Sequence, residues 1–100
     1  MIVALTGKGA FRLDEPGDFR KFKVVVDAGR DALAGLRDHL AGTVDFDDAD
    51  TAWVAIAALR GWNGDAAWQQ GLAAMVDKAR PHGWIDPAGL RIRAHVEWLG

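Results

Sequence analysis

Residues 90–98 alternate without a break, with Leu90, Ile92, Ala94, Val96 and Trp98 on one side and Arg91, Arg93, His95 and Glu97 on the other. Period-2 alternation over this length predicts a β-strand with one buried and one solvated face. A sheet wet on one side is the antiparallel arrangement, because parallel sheets covered on both faces read as continuous apolar strands. Shorter runs at residues 2–5 and 11–13 predict two further strands, separated by Gly7-Lys8-Gly9 and ended by Asp14, Pro16 and Gly17. Residues 22–26 are largely β-branched and predict a firmer strand.

After Asp27 the apolar period changes. Leu33, Leu36 and Leu40 recur at helical spacing, which predicts a helix from Asp27 as N-cap to about Ala41, with Gly42 as its stop. Arg30, Arg37 and Asp38 fall on the outer side of that helix. Residues 43–46 predict a short strand, 47–50 a turn, and 52–59 a long apolar strand. Asp65 then caps a second helix with the stripe Trp68, Leu72, Met75, Val76 and Ala79, ended by Pro81 and Gly83.

From residue 20 onward the order is strand, helix, strand, strand, helix, strand. The expected fold is therefore α+β, a ferredoxin-like βαββαβ arrangement with an antiparallel sheet and two helices on one face. Residues 1–100 are read as a single domain, in which 1–14 form an N-terminal strand or hairpin extension to a core at 20–98. That extension either adds an edge strand or crosses the open sheet face. A fold of this kind carries no activity with it.

Composition narrows the function classes. Half of the residues are apolar and five are Trp, which predicts a folded core rather than a disordered tail. The absence of cysteine excludes disulfides and thiolate chemistry. A net charge of −2 with both signs interspersed disfavours nucleic acid as a partner. The first residues are too short and uncharged a stretch for a signal peptide, and no apolar run is long enough for a membrane span. A cytoplasmic domain without a membrane partner is the expectation.

In the expected topology Lys21, Lys23 and Val25 join Arg91, Arg93 and His95 on the open face, beside Trp53, Ala55, Ala57 and Leu59 of the neighbouring strand. An apolar patch of that size exceeds what a monomer usually leaves bare. With no nucleophile–base pair in the sequence, the leading expectation is a non-enzymatic module. It would form a homodimer or take a protein partner through Trp53, Ala55, Ala57 and Leu59. The alternative is a protein that binds a small anionic or aromatic molecule, or a small enzyme acting on one, with its site on the open sheet face of a dimer. Trp53 would form a wall of its site, Arg91 and Arg93 would supply charge, and His95 would be the proton carrier. The bland reading is a solvated face of paired and snorkelling side chains.

The same topology gathers Asp27, the turn acids Asp47, Asp48 and Asp50, and the loop residues His82 and Asp86 at one end of the sheet. Such a cluster suits a divalent cation or an acid–base pair. The spacing does not fit a calcium loop, since counting from Asp45 puts Ala49 and Ile56 at ligand positions. Aspartate also favours turns for its own backbone hydrogen bonds. Neither a metal nor a cofactor is expected. Trp68 is assigned to the core, Trp98 to the bottom of the core near Trp62, and Trp84 to a cover over the helix end.

Overall fold

The apolar runs become strands, and their alternation sets which side is buried. The computed structural model of the chain describes residues 1–100. It contains strands β1 (Ile2–Thr6), β2 (Phe11–Asp14), β3 (Lys23–Asp27), β4 (Val44–Phe46), β5 (Thr51–Ala55) and β6 (Arg91–Trp98). The helices are α1 (Leu33–His39), α2 (Ile56–Arg60) and α3 (Ala66–Ala79), with 3-10 turns at Arg30–Ala32 and Arg80–His82. No helix is long and apolar enough to cross a membrane.

On β6, Ile92, Ala94 and Val96 are buried while Arg93 and His95 are exposed, as period-2 alternation requires. The α3 stripe Trp68, Leu72, Met75, Val76 and Ala79 is buried against that inner sheet face. Its N-cap is Asp65, whose carboxylate accepts the Trp68 backbone N–H at 3.0 Å. Inward side chains of all six strands join those of the three helices in one cluster, so there is a single core on one side of the sheet.

The class is α+β as expected, but the sheet is mixed and has six strands, in the order β2-β1-β3-β6-β5-β4. It is not the antiparallel ferredoxin-like sheet. Strand β6 lies between β3 and β5, parallel to β3 (Lys23↔His95, Val26↔Trp98) and antiparallel to β5 (Trp53↔Arg93). The cause is an extra reversal after α3. Residues 84–86 first run along the β6 edge, with Ile85 bridged to Ile92 and the Arg93 N–H donated to the Trp84 carbonyl at 2.7 Å. The chain then turns back at residues 86–89, where the Gly89 N–H donates to the Asp86 carbonyl at 2.9 Å and Gly89 takes φ +73°.

Asp86 closes this turn. Its Oδ1 accepts the N–H groups of Leu90 at 2.8 Å and Arg91 at 3.0 Å, and its Oδ2 accepts Arg91 Nε at 2.9 Å. It is the only buried charged side chain. The hydrogen bond from the Arg91 guanidinium, reinforced by the two backbone donors, holds the Asp86 carboxyl below the usual carboxylate range.

Three local expectations change. The strand read over residues 52–59 stops at Ala55, and α2 takes Ile56 and Leu59 into the core. A continued strand would alternate Ala57 and Leu59 onto the solvated face. A helical turn instead buries Ile56 and Leu59 together at i, i+3, and Ala57-Ala58-Leu59 are strong helix formers. Asp27 ends β3 rather than capping a helix; Gly29 precedes the 3-10 turn with no side-chain cap, and α1 proper is only Leu33–His39. Trp98 does not meet Trp62: it stacks on Phe46 at 6.0 Å and donates Nε1–H to the Ala49 carbonyl, while Trp62 is exposed. Residues 1–14 do add strands, with β1 parallel to β3 and β2 outside it, so they do not cross the open face.

Because its folded-state pKa is lowered, Asp86 stabilises the fold at pH values above its unfolded pKa of about 3.9, and that contribution fades as acid titrates the folded carboxylate. Asp86→Asn should therefore lower the urea midpoint at pH 7, and the gap to the parent should narrow below about pH 4. A gap that stays constant from pH 7 to pH 3 would show that the charge on Asp86 adds nothing.

Candidate functional site

The open sheet face carries most of the expected site residues, but its central arginine is already paired. Arg91 reaches Asp86 through Nε and Asp45 through Nη1, the latter at 3.2 Å, and its guanidinium carbon sits 5.9 Å from the Trp53 ring centroid. The hydrogen bond to Asp86 raises the Arg91 pKa further, so its charge is permanent and internally engaged. Trp53 is half-buried beneath it, opposite Arg93 on β6 and Asp45 on β4. Glu97, two residues beyond His95 on the same face, is paired with Lys23 at 3.2 Å. His95 is exposed and lies beside Lys23 and Thr51 in the register.

Of the apolar patch, only Trp53 and Ala55 belong to the sheet. Ala57 is exposed on α2 and Leu59 is fully buried beneath it. The acidic residues divide between the two ends of the sheet. Asp27 ends β3 level with Trp98 at the finish of β6, whereas Asp86 is bonded to Arg91 at its start. Of the expected convergence, Asp27 and the turn at Asp47, Asp48 and Asp50 do share the end where β6 finishes, since the Val96 N–H donates to the Asp50 carbonyl at 2.9 Å. The reversal before β6 carries Asp86 to the other end, and His82 stacks on Trp84 instead. Asp48 accepts the Asp50 N–H at 2.8 Å and Asp50 pairs with Arg30 at 3.1 Å, which are turn and surface roles. No group of three or more His, Asp or Glu side chains is placed to hold a metal ion.

A different site emerges at the edge of that face. Strand β3 begins opposite His95, so it leaves the first half of β6 to residues 84–86. Between these two partners a groove opens, with a volume of about 560 Å³. Phe19, Phe22, Met75, Ala79, Trp84 and Ile92 supply its apolar lining, and Arg20, Lys21, Lys78, Arg93 and His82 its polar one. No carboxylate lines it, although the chain carries 14 acidic residues. A smaller hollow of about 290 Å³ shares Phe22, Trp84 and Arg93 with it and adds Asp50, Thr51 and His95.

Each wall is held by identifiable contacts. Phe22 keeps the inward parity of Val24 and Val26. The His82 ring stacks on Trp84 with centroids 4.4 Å apart and planes at 21°. Phe19 leans on α3 at Gly71, where a Cβ would come within 2.3 Å of its ring, and packs 6.0 Å from Trp68. Trp68 Nε1 also donates to the Pro16 carbonyl at 2.9 Å, tying the loop after β2 to the helix.

Arg20 and Lys21 have carboxylate partners in Asp18 and Glu15, at 3.4 and 3.3 Å. Lys78 and Arg93 have none. Of the residues singled out in the sequence, Arg93 lines both hollows, His95 lines the smaller, and Trp53 and Arg91 line neither. Periodicity gives Phe22 only a strand position and Trp84 only a covering role, and it singles out neither Phe19 nor Lys78. The interleaving of aromatic and basic residues in Phe19-Arg20-Lys21-Phe22-Lys23 was the available signal. Comparison with protein-family models, curated proteins and solved structures gives no match.

Gly71→Ala tests how firmly the Phe19 wall is held. Alanine is favoured over glycine within a helix by about 1 kcal/mol, but here its methyl group must displace the Phe19 ring. The variant should melt at a lower temperature and show altered Trp68 fluorescence. A higher melting temperature would mean that Phe19 moves aside freely.

Proposed function

We propose that the protein is a binding module for a small organic anion with an apolar, ring-bearing body, held in the groove between residues 19–22, α3 and Trp84. One observation carries the reading: an apolar groove lined by cations and by no carboxylate, in a chain whose net charge is −2. Its volume of about 560 Å³ falls within the range of roughly 300–1,000 Å³ typical of small-molecule pockets. The apolar lining would contribute affinity through burial, and Arg93 and Lys78 would orient the charged end.

The competing proposal, self-association or protein binding through the open sheet face, has less to rest on. Its apolar patch loses Ala57 and Leu59, and what remains of it lies beside Arg91, which is committed to Asp45 and Asp86.

Titration with 1-naphthoate, read by tryptophan fluorescence and backbone chemical shifts, tests the groove. Shifts should concentrate at Phe22, Lys78, Trp84 and Arg93, and the uncharged 1-naphthalenemethanol should bind more weakly. Arg93→Glu combined with Lys78→Glu should weaken naphthoate binding by more than about tenfold, since two charge-assisted contacts become repulsions. Shifts confined to Trp53 and Ala55 would move the site to the open sheet face instead.

A further inference from the structure

We infer that the groove selects a phosphate monoester carried on an aromatic ring, in preference to the corresponding carboxylate; this deepens the binding proposal above and rests on it. The distinction lies in how the lining cations are already employed. Arg20 and Lys21 each face a carboxylate of their own loop, at 3.4 Å to Asp18 and 3.3 Å to Glu15. Lys78, from the last turn of α3, and Arg93, from β6, face none. Nor does either make a side-chain hydrogen bond within the protein, unlike Arg37, which also lacks an ion pair but donates to the Asp47 carbonyl.

Two uncommitted cations on separate elements of one groove call for a ligand that can answer both. A monocarboxylate offers one negative charge and a planar pair of acceptors, which a single arginine fork saturates. A phosphate monoester carries up to two charges and three terminal oxygens. Arg93 can take two of these oxygens in its fork while Lys78 meets the third as a point charge.

The ring half of the inference rests on Trp84. One indole face is covered by His82, stacked at 4.4 Å. The residue is 44% exposed and lines both hollows together with Phe22. An exposed indole beside a second aromatic favours a flat ring, which gains offset stacking in addition to area burial.

The test uses the intact protein with 1-naphthyl phosphate, 1-naphthoate and inorganic phosphate as calorimetric ligands at about pH 8, where the monoester is a dianion. Naphthyl phosphate should bind about tenfold more tightly than naphthoate, the factor expected of one further charge-assisted hydrogen bond. Inorganic phosphate should bind far more weakly than either. Lys78→Gln should bring the two naphthyl ligands to within about twofold of each other, and Arg93→Gln should weaken the binding of both. Equal affinity for naphthoate and naphthyl phosphate, or a preference unchanged in Lys78→Gln, would overturn the phosphate selection while leaving the groove as a binding site. Inorganic phosphate binding as tightly as the ester would overturn the aromatic half. Failure of both naphthyl ligands to bind would remove the binding proposal itself.

Discussion

The carboxylate of Asp86 accepts two backbone N–H groups and a guanidinium, and in doing so it holds the chain reversed between residues 84–86 and β6. A buried carboxylate needs that full set of donors, because an unpaired charge there would be costly. The reversal decides the direction of β6, and the direction decides its neighbours. Entering antiparallel to β5, the strand fits between β5 and β3 and completes one continuous sheet. It also carries Asp86 to the opposite end of the sheet from Asp27 and the 47–50 turn, so Asp86 never joins those acids.

The same contact sorts the arginines of β6. Arg91 is drawn into the turn by Asp86 and braced by Asp45, which removes it from the pool of groups that could greet a ligand. Arg93, two residues on, forms no ion pair and keeps its side-chain donors free where it lines the groove. Across the rest of the open face, cations and carboxylates neutralise each other locally, as in Lys23 with Glu97 and Arg12 with Asp14. Exposed pairs of this kind contribute little to stability. Their effect on function is larger, since they leave the centre of the face electrically quiet and concentrate uncompensated charge at its edge.

The groove exists because two backbone segments divide the β6 edge between them. Strand β3 covers its second half and residues 84–86 its first, and each partner brings an aromatic residue, Phe22 or Trp84, to the junction. Gly71 allows Phe19 to close one wall against α3 at a distance that no other residue at that position would permit. The site is thus assembled from residues 19–22, 75–84 and 92–93, none of which forms a motif alone.

Periodicity along the chain determined most of the local structure. The alternation of residues 90–98, the α3 stripe with its Asp65 cap, and the short strands at both ends were all legible, because side-chain burial repeats with the geometry of a strand or a helix. Where a short apolar run suited either state, as at Ala57-Ala58-Leu59, period could not choose, and the space beneath the sheet did: burying Ile56 and Leu59 together required a helical turn. Strand order and direction were beyond local pattern altogether, since an antiparallel and a mixed sheet ask for the same alternation on a one-sided face. Only the tertiary structure decided those, through the turn at Asp86. By pairing Arg91 and leaving Arg93 and Lys78 unpaired, it also decided which of the visible charges remained available.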